Sequence, residues 1–112
     1  MTKKLKLVLF ISLSTACFAV SAAPSGNAAA GKAKAEPCKA CHGADGNGSS
    51  SATQFPRLAG QNADYLYNAL VQYQTGKRKN PLMSAQVAAL KPVDLADLSA
   101  YYASQKGLEV KY

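Results

Sequence analysis

The sequence has no tryptophan, a single histidine (His42), three cysteines and only six acidic side chains among 112 residues. No stretch of any length alternates apolar and polar residues, so no β-sheet is predicted. There is no internal repeat, which excludes solenoids and propellers. With one histidine, a closed four-ligand zinc centre lacks donors. Three cysteines, two of them close neighbours, do not make a disulfide framework. The shortage of large aromatic residues leaves a thin core, and chains of this size often lean on a metal or cofactor.

What is present begins with an export signal. Lys3, Lys4 and Lys6 precede the apolar run Leu7 to Val20, and Ser21-Ala22-Ala23-Pro24 comes after it. This is the three-part layout of a secretory signal peptide, and the run is short of the ~20 residues a spanning helix needs. Residues 1–23 are read as a cleaved signal peptide and 24–112 as one domain in the periplasm. The alternative is an uncleaved anchor. A lipidated Cys17 fits less well, because Ser14 stands where a large aliphatic residue is wanted.

Cleavage after Ala23 takes three lysines with it. The formal charge then falls from +7 to +4, with ten basic and six acidic side chains. That mild excess makes no case for nucleic-acid binding. The two remaining cysteines are Cys38 and Cys41.

The mature chain reads as all-α. Asn27 caps a first helix over 28–35, which Pro37 ends. A Gly-, Ser- and Asn-rich loop covers 43–54. Asn62 caps a second helix, in which Tyr65, Leu66, Ala69, Leu70 and Tyr73 recur at helical spacing and which Gly76 ends. A short helix is expected over 84–90. The last begins near Pro92, places Asp94 and Asp97 where the dipole favours them, buries Leu95, Leu98 and Tyr102, and stops at Gly107.

Cys38-Lys39-Ala40-Cys41-His42 carries the chemistry. Cys-x-x-Cys-His is the haem-attachment spacing. Two thiols three positions apart reach the two vinyl groups of one haem, and the adjacent imidazole lies under the iron. A bare dithiol of thioredoxin type is the duller reading, but it expects strands between helices and does not explain His42. Met83 is the one methionine beyond the signal. A lone methionine is commonly core filler. Its thioether is also a soft iron ligand that raises the reduction potential. Met83 lies far enough along the chain to reach the opposite haem face.

Taken together these segments resemble the class I cytochrome c family, in particular bacterial periplasmic monohaem members and single domains of tandem dihaem ones. The resemblance spans residues 27–106. It rests on Gly31 and its small-residue helix, CKACHGADGNG, FPRLAGQNADYLYNAL, YQTGKRKNPLM and DLADLSAYYAS. Pro37 departs from the pattern by shortening the first helix. With a single haem motif the tandem arrangement is not expected.

The resemblance implies a small cytochrome c fold, three to four helices around one haem c bound through Cys38 and Cys41. It implies His42 and Met83 as iron ligands and Pro56 as the carbonyl that accepts a hydrogen bond from His42. It also implies a helix crossing between Gly31 and Tyr101 or Tyr102, although Gly31 on its own reads equally as an ordinary loop glycine. Tyr65, Tyr67, Tyr73 and the later tyrosines are expected to pack the core and haem pocket. Lys77-Arg78-Lys79 is a solvated turn or a docking patch for an acidic partner.

The expected function is electron carriage between redox proteins, by a monomer or weak dimer with no small-molecule substrate and no enzyme activity. Two alternatives stand beside it. One is a gas-binding or sensing haem protein with an open iron position. The other is a haem c subunit of a larger oxidase or dehydrogenase.

Overall fold

The computed structural model describes residues 23–48 and 55–107. The segment read as a signal peptide lies, but for its last residue, outside them. Among the described residues helices are the only regular elements: α1 (Ala28–Lys34), a 3-10 turn (Glu36–Cys38), α2 (Lys39–His42), α3 (Ala63–Gln74), α4 (Pro81–Val87) and α5 (Pro92–Ala103). Four of these have seven or more residues, and α2 is a single turn. No helix among the described residues is long and apolar enough to cross a membrane.

Local chemistry explains most boundaries. The Asn27 carboxamide accepts from the Ala30 N–H at 2.9 Å and starts α1. Pro37 prevents α1 from continuing into the motif. The chain tightens into the 3-10 turn, with the Cys38 N–H donating to the Ala35 carbonyl at 2.9 Å, and then resumes as α2. Asn62 caps α3 through the Tyr65 N–H at 3.0 Å. Beyond the Thr75 cap, Gly76 turns the chain at φ +73°.

Two expected boundaries are corrected. The short helix begins at Pro81 and ends at Val87, rather than covering 84–90. Asn80 is the reason: its carboxamide accepts from the Leu82 and Met83 N–H groups at 3.1 and 3.2 Å, and Pro81 suits the first turn. Met83 therefore sits on a helix, not in the turn before it. The last helix closes at Ala103, before Gly107. There the Ser104 Oγ donates to the Tyr101 carbonyl at 2.7 Å.

The core is small. Ala35, Leu66, Leu98, Tyr101 and Tyr102 form one cluster, and Leu95 and Val87 are also buried. Its organising contact is the crossing of α1 and α5. A Cβ on Gly31 would overlap the Asp97 carbonyl oxygen and come within 2.7 Å of the Tyr101 Cβ. Gly31 is thus the residue that lets the two backbones touch, and Tyr101 is its partner.

Lys34 ties the same crossing, with Nζ 2.7 Å from Asp94 and 2.6 Å from Asp97. Asp97 also accepts the Asn27 N–H at 2.7 Å. The hydrogen bonds from Lys34 and the Lys91 N–H hold Asp94 below the usual carboxylate range. Those from the Asn27 N–H and Lys34 do the same for Asp97. Lys34 is raised by its bonds to the two carboxylates. The sequence pattern marks these aspartates as dipole partners only, and their bridge to α1 is new. Tyr65 lies outside the protein core, at 50% exposed, while Tyr67 and Tyr73 are half-buried.

Candidate functional site

Three of the expected site residues lie on one short piece of chain. The 3-10 turn carries Cys38, and α2 carries Cys41 and His42. Both thiols are free and half-buried. Burial pushes the Cys38 thiol pKa up. His42 is 5% exposed.

The imidazole is fixed from outside the motif. His42 Nδ1 lies 2.8 Å from the Pro56 carbonyl oxygen. A carbonyl can only accept, so Nδ1 carries the proton and donates. In the neutral ring Nε2 is then left with its lone pair, the form a metal requires. Phe55 meets the ring edge-on, with centroids 6.4 Å apart.

The glycine loop supports this pairing, a role that the motif alone does not reveal. The Gly48 N–H donates to the His42 carbonyl at 2.8 Å, folding the loop back on the motif. Gly43 and Gly46 have φ of +85° and +84°. The Gly46 carbonyl accepts the Leu58 N–H at 2.7 Å, just beyond Pro56, and a Cβ on Gly46 would strike the Tyr102 ring at 2.7 Å. The Gly60 N–H donates to the Tyr102 carbonyl at 2.9 Å. Loop, Pro56 segment and α5 thus close around His42 through backbone contacts. The repeated glycines of GADGNG are the sequence signal for it, since they admit the positive φ values.

Met83 stands apart. It is half-buried in the first turn of α4, and α4 packs on α3 rather than on the motif segment. The basic triplet is divided: Lys77 and Lys79 are exposed, while the Arg78 guanidinium lies over the Tyr65 and Tyr73 rings, 5.9 and 5.5 Å from their centroids.

The Cytochrome c family profile matches residues 28–106. The chain belongs to the cytochrome c family. Cytochrome c4 of Pseudomonas aeruginosa is 51% identical over 82 residues, covering 73% of this chain and 40% of that protein. Cytochrome c-554(548) of Halomonas halodenitrificans is 44% identical over 85 residues, covering 73% of this chain and 100% of that protein. The crystal structure of reduced recombinant cytochrome c4 from Pseudomonas stutzeri superposes with a TM-score of 0.69 at 40% identity, covering 75% of this chain and 48% of the other. The chain thus spans half or less of the cytochrome c4 chains and resembles one of their domains. The helical fold is that of the family.

Covalently bound haem c is the family's cofactor, and Cys38 and Cys41 occupy the attachment positions. The residues present fit it. The thiols are unpaired, the imidazole is in the metal-binding tautomer, and Leu58 and Leu90 are only partly covered against the core. The buried Tyr102 hydroxyl beside Cys38 has no hydrogen-bond partner among the described residues. A zinc reading is not supported: among the described residues no three His, Cys, Asp or Glu side chains gather to hold a metal ion.

Proposed function

We propose that this chain is a periplasmic carrier of single electrons, exported by way of residues 1–23, in which His42 and Met83 are the two axial ligands of a haem bound at Cys38 and Cys41. The haem supplies the one-electron couple of its iron. The protein supplies attachment, ligands and a fixed, dry surrounding. The observation that carries the reading is the hydrogen bond from His42 Nδ1 to the Pro56 carbonyl. It orients the ring, leaves Nε2 free and increases its basicity. Held by the same two side chains in both oxidation states, the iron would change its surroundings little, and little reorganisation would oppose transfer. The Met83 thioether favours the reduced state and raises the potential.

Redox titration of the haem-loaded chain tests this. One reversible one-electron wave per chain is expected, lowered in potential in a Met83→Ala variant. A wave that is absent, or that Met83→Ala leaves unchanged, overturns the carrier or the ligand assignment respectively.

A second reading has its own support. One relative, from Thiomonas intermedia, is a thiosulfate dehydrogenase electron acceptor. By that likeness this chain would serve as the electron acceptor of a dehydrogenase rather than as a free carrier. Purification from the native host as a free chain or in a stable complex separates the two.

A further inference from the structure

The α4 helix has little apolar anchorage. It has seven residues, Val87 alone is buried, and Leu82 is 68% exposed. It is held largely by polar contacts with the end of α3, and these are reciprocal. Gln74, the last residue of α3, donates through Nε2 to the Val87 carbonyl at 2.7 Å and the Leu90 carbonyl at 2.8 Å. In return the Ser84 Oγ of α4 donates to the Tyr73 carbonyl of α3 at 3.1 Å. The last carbonyls of a helix lack partners within it. Each helix here uses a side chain to satisfy the other's open end.

Ser84 is the neighbour of Met83, and the Met83 N–H is bound to Asn80 at the other side. The thioether's position thus depends on how α4 is seated on α3. We propose that Gln74 and Ser84 are positioning residues for the Met83–iron bond: they hold α4 so that the thioether stays on the metal against competing ligands. This rests on the assignment of Met83 as ligand. Neither side chain touches the motif segment in the described contacts, so their effect falls on the methionine side alone.

The test uses the haem-loaded full chain and imidazole as the competing ligand of the ferric iron. Gln74→Leu removes two neutral hydrogen bonds and Ser84→Ala one, which at the low end of their usual worth, as suits a partly exposed site, correspond to about fivefold and about twofold in affinity. Gln74→Leu and Ser84→Ala should each raise imidazole affinity, and the double variant should reach about tenfold. The ferric charge-transfer band of the sulfur ligand should weaken in parallel, with the attachment spectrum unchanged. Thr75→Ala is the control. Among the described residues its hydroxyl bonds to Val71 and Gln72 of α3 alone, so imidazole affinity should stay as in the parent.

Parent-like imidazole affinity in the double variant overturns the proposal, as does an equal rise in Thr75→Ala. A Met83→Ala variant with parent-like affinity and band shows instead that the ligand assignment is wrong, and the proposal falls with it. Should the double variant fold poorly, Gln74→Leu alone decides.

Discussion

The two sides of the proposed site are built differently. Around His42 the ring is held by a carbonyl, the loop by backbone N–H groups, and the crossing of α1 and α5 by a glycine that no larger residue can replace. Around Met83 a short helix with one buried side chain is held by Asn80, Gln74 and Ser84. Backbone contacts in a close-packed region yield only by unfolding, whereas a few side-chain hydrogen bonds can open locally. The attachment side should therefore fail globally and the methionine side by ligand exchange.

The largest effect that can sharpen this contrast is removal of the attachment itself. With so small a core, the chain lacking haem is expected to fold poorly. A Cys38→Ala, Cys41→Ala variant should show a broad, low-temperature loss of helix by circular dichroism. A sharp, parent-like melt would show that the core suffices alone.

Next is Gly31→Val. Its side chain has no space beside Asp97 and Tyr101, and overpacking of this kind costs about 3 kcal/mol. The haem-loaded protein should melt lower by about 10 °C or more, with the iron ligands unchanged in the optical spectrum. A matching substitution at Gly76, where added bulk meets nothing, should cost only what its positive φ imposes.

A smaller effect concerns the Lys34 bridge. Asp94 and Asp97 are depressed, so their contribution is complete above the ordinary carboxylate pKa of about 3.9 and is lost as pH falls through their lower folded values. Lys34 is raised, so its contribution is complete below about 10.4 and is lost as pH rises through its higher folded value. Lys34→Met should lower the melting temperature between these limits, with an effect that fades as pH falls through the depressed aspartate values. A difference that persists undiminished in strong acid would contradict the bridge.

The smallest effect is at the basic turn. Lys77→Glu with Lys79→Glu should slow electron transfer to an acidic partner at low salt and converge with the parent at high salt. Arg78→Ala should act instead through the Tyr65 and Tyr73 rings, with a salt-independent loss of stability. If the lysine reversals leave the rate unchanged at every ionic strength, the turn is solvated surface and nothing more.

Much of this was legible in the sequence where one residue type admits one local structure. Asn27 and Asn62 cap helices because their carboxamides reach N–H groups three residues on. Cys38, Cys41 and His42 are set by spacing, and the Pro56 carbonyl meets His42 as the family resemblance implies. The illegible parts depend on partners distant in the chain or on residues with two local uses. Asn80 moved the start of α4, yet an asparagine before a proline marks a turn as readily as a cap. Tyr65 has helical spacing like a core residue, but its exposed face became apparent only with Arg78 placed over it. Lys34 meets Asp97 across 63 positions, and no local pattern announces such a pair.

The most direct test of the central claim is the optical spectrum of the reduced, haem-loaded protein before and after carbon monoxide. A c-type spectrum that carbon monoxide leaves unmoved is the predicted result, because in the proposed ligation His42 and Met83 together close the iron. A clear shift would mean that Met83 is off the metal or readily displaced, and would contradict the closed carrier in favour of an open, ligand-binding site.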